Sequence, residues 1–158
     1  MRTKKVLLVA LGVRKDGSKE LLSFQLALSE SESCWWGFLS DLKQRGLWGR
    51  NLEVIVSDDA KGLVRAIQGL YPRIDHQICT FHKANGLGAH LGDKRHRRRI
   101  ISDALHVFEG ETETEVRKRL QLFCDKWSPL EPKAVRNFIR GFEDCLVYLL
   151  YPDPQRTM

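Results

Sequence analysis

Residues 6–13, VLLVALGV, form an unbroken apolar run, and residues 21–28, LLSFQLAL, form a second, mostly apolar one, with RKDGSKE and its Asp16–Gly17 pair between them. Two such runs around an Asp-Gly turn predict a β-hairpin. The period then lengthens. In SESESCWWGFLSDLKQRGL, Trp35, Phe38, Leu39 and Leu42 recur at i, i+3, i+4 and i+7, which is one face of a helix. Ser29 and Glu32 have capping-box spacing at its start, and Gly46 is placed to end it. LEVIVS at 52–57 reads as a short strand, apolar on both faces like the inside of a covered sheet. Leu63, Ala66, Ile67 and Leu70 then line one helical face, halted by Pro72, and DHQICTFH at 75–82 reads as one more strand. The order to about residue 90 is β-β-α-β-α-β, a mixed sheet with helices on its faces.

Beyond His90 only helical periods remain. Ile101, Ala104, Leu105 and Phe108 make one stripe. A second helix begins near ETETEV, with acids where the helix dipole favours them, and buries Val116, Leu120, Phe123 and Trp127 before Pro129 and Pro132. A third is expected from about Lys133 to Leu150, with Glu143 and Asp144 on its solvated face, ahead of the Pro-rich YPDPQRTM. The expected division is a core at 1–90 and a helical segment at 91–158.

Composition narrows the class. With 158 residues, 42% hydrophobic and 29% charged, the chain can bury one core and reads as a soluble globular protein. The run at 6–13 is far short of a bilayer span and no small-residue cleavage site follows it, so a cytoplasmic address without membrane contact is expected. Cys34, Cys79, Cys124 and Cys145 are widely scattered and read as thiols rather than a disulfide frame. The net charge of +6 is uneven. Residues 61–100 carry nine Lys and Arg against two acids, ending in DKRHRRRI at 93–100. A phosphate backbone is one partner for such a patch, and a solvated helix start is the bland alternative.

Three features could carry chemistry. Asp58 and Asp59 stand at the carboxyl end of a predicted strand, where open α/β sheets bind ligands, and carboxylates there suit a hard cation such as Mg2+. The competing reading is an Asp N-cap for the helix that starts near Lys61, and on the local sequence the cap leads. Cys79-x-x-His82 has the spacing of two zinc ligands, with His90 and His96 downstream. Without a second tight pair, a Cys and His packed near the acids is the stronger reading. His76 and His106 read as surface or satisfied histidines. The third feature is KRHRRR itself. No Gly-rich phosphate loop, G-x-S-x-G or H-E-x-x-H is present, which argues against nucleotide-binding, hydrolase and metalloprotease classes.

Taken in order, VLLVALGVRKDGSKELLSFQLALSESESCWWGFLSDLKQRGL, LEVIVSDDAKGLVRAI and YPRIDHQICTFHK resemble bacterial Mutator-type insertion-sequence transposases over essentially the whole chain. The S-D-x-x-x-G-L followed by C-x-x-H-K carries the resemblance. It implies a ribonuclease H-like α/β fold, a mixed sheet followed by an all-helical insertion, with an Asp-Asp-Glu triad on two Mg2+ or Mn2+ ions. By that resemblance Asp58 matches the second catalytic aspartate and a metal ligand, with Asp59 in reserve. Cys79 and His82 match site-supporting positions, and Lys83 matches the lysine that follows. Lys83, Lys94, Arg95, Arg97, Arg98 and Arg99 are the expected DNA contacts. Gly86 stands where the family commonly has Asn and is assigned no role.

The resemblance also implies absences. The strand bearing the first aspartate would precede Lys4, and the glutamate would follow the YPDP region beyond an Arg-Thr-Thr-Asn stretch. The expected protein is therefore a transposase fragment with the first sheet strand missing, inactive alone and holding no metal tightly. Its partners would be transposon-end and target DNA, a second copy, or a full-length transposase copy. The alternatives are a non-catalytic DNA-binding or dimerisation module and a small zinc protein. Loss of a central strand leaves two expectations: unpaired strand edges, or the strands at 5–13 and 52–57 forced together.

Overall fold

The computed structural model describes residues 5–151 and is α/β. Two compact units are present, one of residues 5–76 with Tyr151 and the other Gln77–Leu150.

The first unit opens with the expected hairpin. Strands β1 (Val6–Val13) and β2 (Lys19–Ala27) pair antiparallel, with Leu7 opposite Leu26 and Val9 opposite Phe24. At the turn, Gly17 has φ +82, and the Ser18 amide donates to Asp16 Oδ1 at 2.9 Å. Such a φ is open to glycine without a Cβ penalty, and Asp favours this local bond, so the dipeptide dictates the turn. The ladder shifts register between Ala10 and Leu11, with Leu22 unmatched. One hairpin face is buried, with Leu8 at 1% exposure, under α1 (Glu32–Gln44) and α2 (Lys61–Leu70). Trp35, Phe38, Leu39 and Leu42 are all buried there, as their spacing predicts.

The cap of α1 differs from the expected box. Ser31, in extended backbone, accepts from the Cys34 amide at 3.3 Å, so Glu32 is already the first helical residue. Glu32 instead reaches Arg65 on α2 at 3.4 Å. The other end follows the sequence. Gly46 has φ +109, its amide meets the Lys43 carbonyl and the Leu47 amide meets the Leu42 carbonyl, the two bonds of a Schellman stop.

The seam between α1 and α2 is set by two glycines. A Cβ at Gly62 would lie 2.7 Å from the Glu32 nitrogen and 2.8 Å from the Glu30 oxygen, and one at Gly69 would meet the Trp36 ring at 2.3 Å. Lys43 Nζ closes the seam by donating to the Leu70 carbonyl at 2.7 Å.

Strand β3 (Val54–Ser57) pairs with β4 (Asp75–Ile78) in a separate two-stranded sheet. Among the described residues no ladder joins β1 to β3, so the strands at 5–13 and 52–57 are not forced together. Nor is β3 covered on both faces: Ile55 packs on the core while Val56 is 55% exposed. The Tyr151 hydroxyl is held beside Asp75 Oδ2 and donates to the Glu53 carbonyl, both at 2.9 Å, and burial with that carboxylate pushes its pKa up to about 12.

The second unit is helical beyond Ile78. DHQICTFH is strand only in its first half. The Lys83 amide donates to the Cys79 carbonyl at 2.9 Å, closing the first turn of α3 (Thr80–Gly86). Helices α4 (Arg97–Val107), α5 (Glu113–Trp127) and α6 (Pro132–Ile139) follow. The core face of α4 is Ile100, Ala104 and Val107, one residue round from the expected stripe, with Ile101, Leu105 and Phe108 partly buried at its flank.

The expected helix from Lys133 to Leu150 ends at Ile139. Arg140 turns extended and Gly141 takes φ +67. The reversal brings Phe142 onto Phe108, stacked at 5.2 Å, and against Phe138 at 5.6 Å. Burial of two further aromatic contacts outweighs continuation of an exposed helix. Short 3-10 turns at Glu143–Cys145 and Val147–Leu150 complete the unit. Buried Gln77 fixes them, donating to the Cys145 carbonyl at 2.7 Å and accepting from the Tyr148 amide at 2.9 Å.

Candidate functional site

Asp58 follows the last residue of β3 and is half-buried, while Asp59 is exposed. The Asp58 Oδ1 accepts from the Ala60 amide at 3.1 Å, a two-residue Asx turn. It does not cap the helix: Ala60 is the N-cap of α2 and no side chain accepts from the first turn. That corrects the cap reading of the S-D-D. Ser57 Oγ donates to the Asp58 carbonyl at 2.7 Å and lies 2.8 Å from His76 Nε2. With the hydroxyl proton so placed, His76 donates from Nε2. His76 is thus satisfied, as its sequence position suggested, and it steadies the strand end that carries Asp58.

Gly62 belongs to the same stretch. The glycine of S-D-x-x-x-G-L lies where α2 touches the backbone entering α1, so it sets the course of the chain leaving Asp58. The sequence marked this glycine only as part of the S-D-x-x-x-G-L motif, without a contact to explain it.

In the second unit, Cys79 is the half-buried N-cap of α3, with no side-chain capping bond. His82 is exposed, its ring edge-on to Phe81 at 5.9 Å. Lys83 Nζ donates to the Arg140 carbonyl, tying α3 to the reversal after α6. Among the described residues no group of three His, Cys, Asp or Glu side chains is disposed to hold a metal ion. The described residues therefore do not by themselves fit a two-metal centre or a zinc knuckle.

The basic stretch is a separate candidate feature, within the second unit. Lys94–His96 form a 3-10 turn that runs into α4, whose first turn contains Arg97, Arg98 and Arg99 and no acid. All five cations are exposed. Arg95 is clamped on Asp93 at 2.6 Å, and this guanidinium holds the Asp93 carboxyl down to about 2. Among the described residues the other four form no ion pair. Positive side chains at the positive end of a helix repel it and one another, an arrangement that favours an anion.

What holds this cationic start in place was not visible in the sequence. Glu131, in PLEP between two prolines, is 2% exposed. Its carboxylate accepts from the Gly92 amide at 2.7 Å, the Asp93 amide at 3.0 Å and His96 Nδ1 at 2.8 Å. The His96 bond, then the two amides, hold the Glu131 carboxyl below its ordinary value against the opposing effect of burial. His96 also packs edge-on to Trp127 at 5.4 Å, and Trp127 Nε1 donates to Asp103 at 2.8 Å. His96, a possible metal ligand by spacing, is instead the latch of the basic turn.

The family model described as "Transposase, Mutator family" matches residues 1–158. The chain belongs to that family. It is 32% identical over 145 residues to a transposase for insertion sequence element ISRM5 of Rhizobium meliloti (strain 1021), covering 92% of this chain and 36% of the relative. The transposase for insertion sequence element IS256 in transposon Tn4001 of Staphylococcus aureus is 31% identical, covering 89% and 36%. That for insertion sequence element IS406 of Burkholderia multivorans (strain ATCC 17616 / 249) is also 31% identical, covering 94% and 38%. The chain thus spans little more than a third of these curated relatives. Among the described residues no helix is long and apolar enough to cross a membrane.

Proposed function

We propose that this Mutator-family chain is part of the catalytic region of a DNA transposase, in which Asp58 is one carboxylate of the site and Lys94–Arg99 grip the DNA backbone. The observation that carries the reading is the cationic stretch at the start of α4, where among the described residues four of five Lys and Arg side chains form no ion pair, in a turn held by Glu131 through His96 and the Gly92 and Asp93 amides. A phosphate backbone supplies the missing charge. Asp58 supports the catalytic half: a half-buried carboxylate at a strand's carboxyl end, fixed by a backbone amide and the Ser57–His76 bond. A ribonuclease H-like sheet is part of the same proposal. Its support is that, among the described residues, β1 and β3 each pair with a single strand, which leaves an edge to which a further strand could pair.

One such carboxylate cannot position two divalent ions, so these 158 residues bind DNA without cutting it. The test is titration of a labelled duplex with the purified chain over a range of NaCl concentrations. Affinity falls with salt, and replacing Arg97, Arg98 and Arg99 by Gln reduces the logarithmic slope by about 2 to 3. Binding that ignores both salt and these arginines sinks the proposal. Mg2+-dependent nicking of the duplex by this chain refutes its inactivity alone.

A further inference from the structure

Gly88 is a glycine whose backbone does not require one. It is the middle residue of a 3-10 turn at Leu87–Ala89, between α3 and the basic stretch, and its φ is not positive. In a helical turn glycine costs more to order than alanine, so backbone conformation gives no reason for it. The space beside it does. A Cβ at Gly88 would lie 2.7 Å from Arg97 Cζ and closer still to Nη1, so the guanidinium occupies the volume that any other side chain would fill. Both residues belong to the second unit. Among the described residues Arg97 makes no hydrogen bond or ion pair in this seat, which leaves its donors unspent. Arg98 and Arg99 stand about 100° and 200° further round α4 and cannot share the seat.

We propose that Gly88 is a positioning residue, which seats the Arg97 guanidinium so that its fork takes one backbone phosphate of a DNA duplex. This inference rests on the backbone grip proposed above and assigns its fixed point. A long cation loses rotamer freedom when it binds, and one already packed has less to lose. Arg97 therefore contributes more than Lys94, Arg98 or Arg99, which carry the same charge without the seat. Its two parallel N–H groups match two phosphate oxygens. A chain of phosphates fits better than one carboxylate, because the first turn of α4 and the 3-10 turn before it contain several cations and no acid. A backbone contact carries no sequence information, so the contribution is the same on any duplex.

A double-mutant cycle in duplex binding tests the proposal, with side-chain NMR of the free chain beside it. Gly88→Ala is expected to fold, since only the tip of a flexible side chain must move, and circular dichroism checks this. It should weaken binding about 10-fold on each of two duplexes of unrelated sequence, with the net charge unchanged. In an Arg97→Gln background it should cost nothing more, whereas in an Arg99→Gln background it should cost its full amount. Without DNA, the Arg97 Nε–H order parameter should lie above ~0.6, and in Gly88→Ala it should fall below that value, as for Arg98 and Arg99 in the parent. Arg97→Lys leaves Gly88 alone and reports independently: loss of the fork costs about 10-fold, while Arg99→Lys costs less than ~3-fold. A Gly88→Ala chain that binds DNA like the parent overturns the proposal and leaves the seat to a carboxylate partner. Equal losses in every background overturn it by making Gly88 structural, and so does an Arg97 as mobile as Arg99. A parent chain that binds no DNA refutes the grip itself, and the order parameters, read without DNA, separate that failure from loss of the seat.

Discussion

Glu131 is the residue on which the basic turn depends. A buried carboxylate with three donors is stable only while all three are present, and the donors in turn have no water to replace it. Glu131→Gln keeps the volume but weakens every bond, and is expected to cost about 2 kcal/mol in denaturant unfolding. It should also lower DNA affinity, since the first turn of α4 is no longer held. The pH dependence follows from the sign of the shift. Because the folded carboxyl lies below its ordinary value of 4.5, its stabilisation is complete above that value and disappears as pH falls through the lower folded one. Asp93, held down by Arg95, acts in the same direction. Thermal melts between pH 6 and 3 should therefore show an acid-side loss that is smaller in Glu131→Gln. An equal loss in both proteins would contradict this role. Nothing in PLEP announces the function: Pro129 and Pro132 read as helix breakers, and the groups that bond the Glu131 carboxylate stand 35 or more positions away.

At the scale of elements, small residues decide more than large ones. Gly62 and Gly69 both lie on the α1 side of α2, yet they meet different neighbours. Backbone atoms of Glu30 and Glu32 face Gly62 and cannot move alone, whereas the partly exposed Trp36 ring facing Gly69 can turn away. Gly62→Ala is expected to destabilise by about 2 to 3 kcal/mol, despite alanine's better helix propensity, and Gly69→Ala by less than half of that. Equal midpoints in urea for the two variants would contradict the distinction. Gly141 marks the case in which the helical period misled. The apolar spacing through Phe142, Leu146 and Leu149 fits a continued helix, but φ +67 ends it and a ring stack replaces it. Gly141→Ala should lower the melting temperature without lengthening the helix, because Phe142 is already buried at 2% exposure.

The whole chain combines two kinds of stability. Strands β1 and β2 pair over eight or nine residues, whereas β3 and β4 pair over four. Hydrogen exchange should find the β1–β2 amides that bond across the ladder better protected than those of 54–57. Strong, uniform protection of 54–57 would mean that β3 sits in a larger sheet than the one seen here. The compact units divide at 76/77 and 150/151, so the second begins inside β4, a division that no change of composition marks.

The sequence by itself determined the hairpin and its Asp16–Gly17 turn, the Gly46 stop, the buried stripes of α1, α2 and α5, and the family. These depend on neighbours within a turn or a ladder, so local spacing suffices to specify them. It also singled out Asp58 and the basic run, because charge at a strand end or in a cluster is visible without a fold. Only the tertiary structure decided that Ser31 and not Ser29 caps α1, that the strand at Asp75 yields to a helix after Ile78, and that Glu131 latches His96. It alone revealed Gly62 as a contact. Each of these depends on what stands opposite a residue in space, and the pairs that decide them lie too far apart along the chain for any periodicity to record.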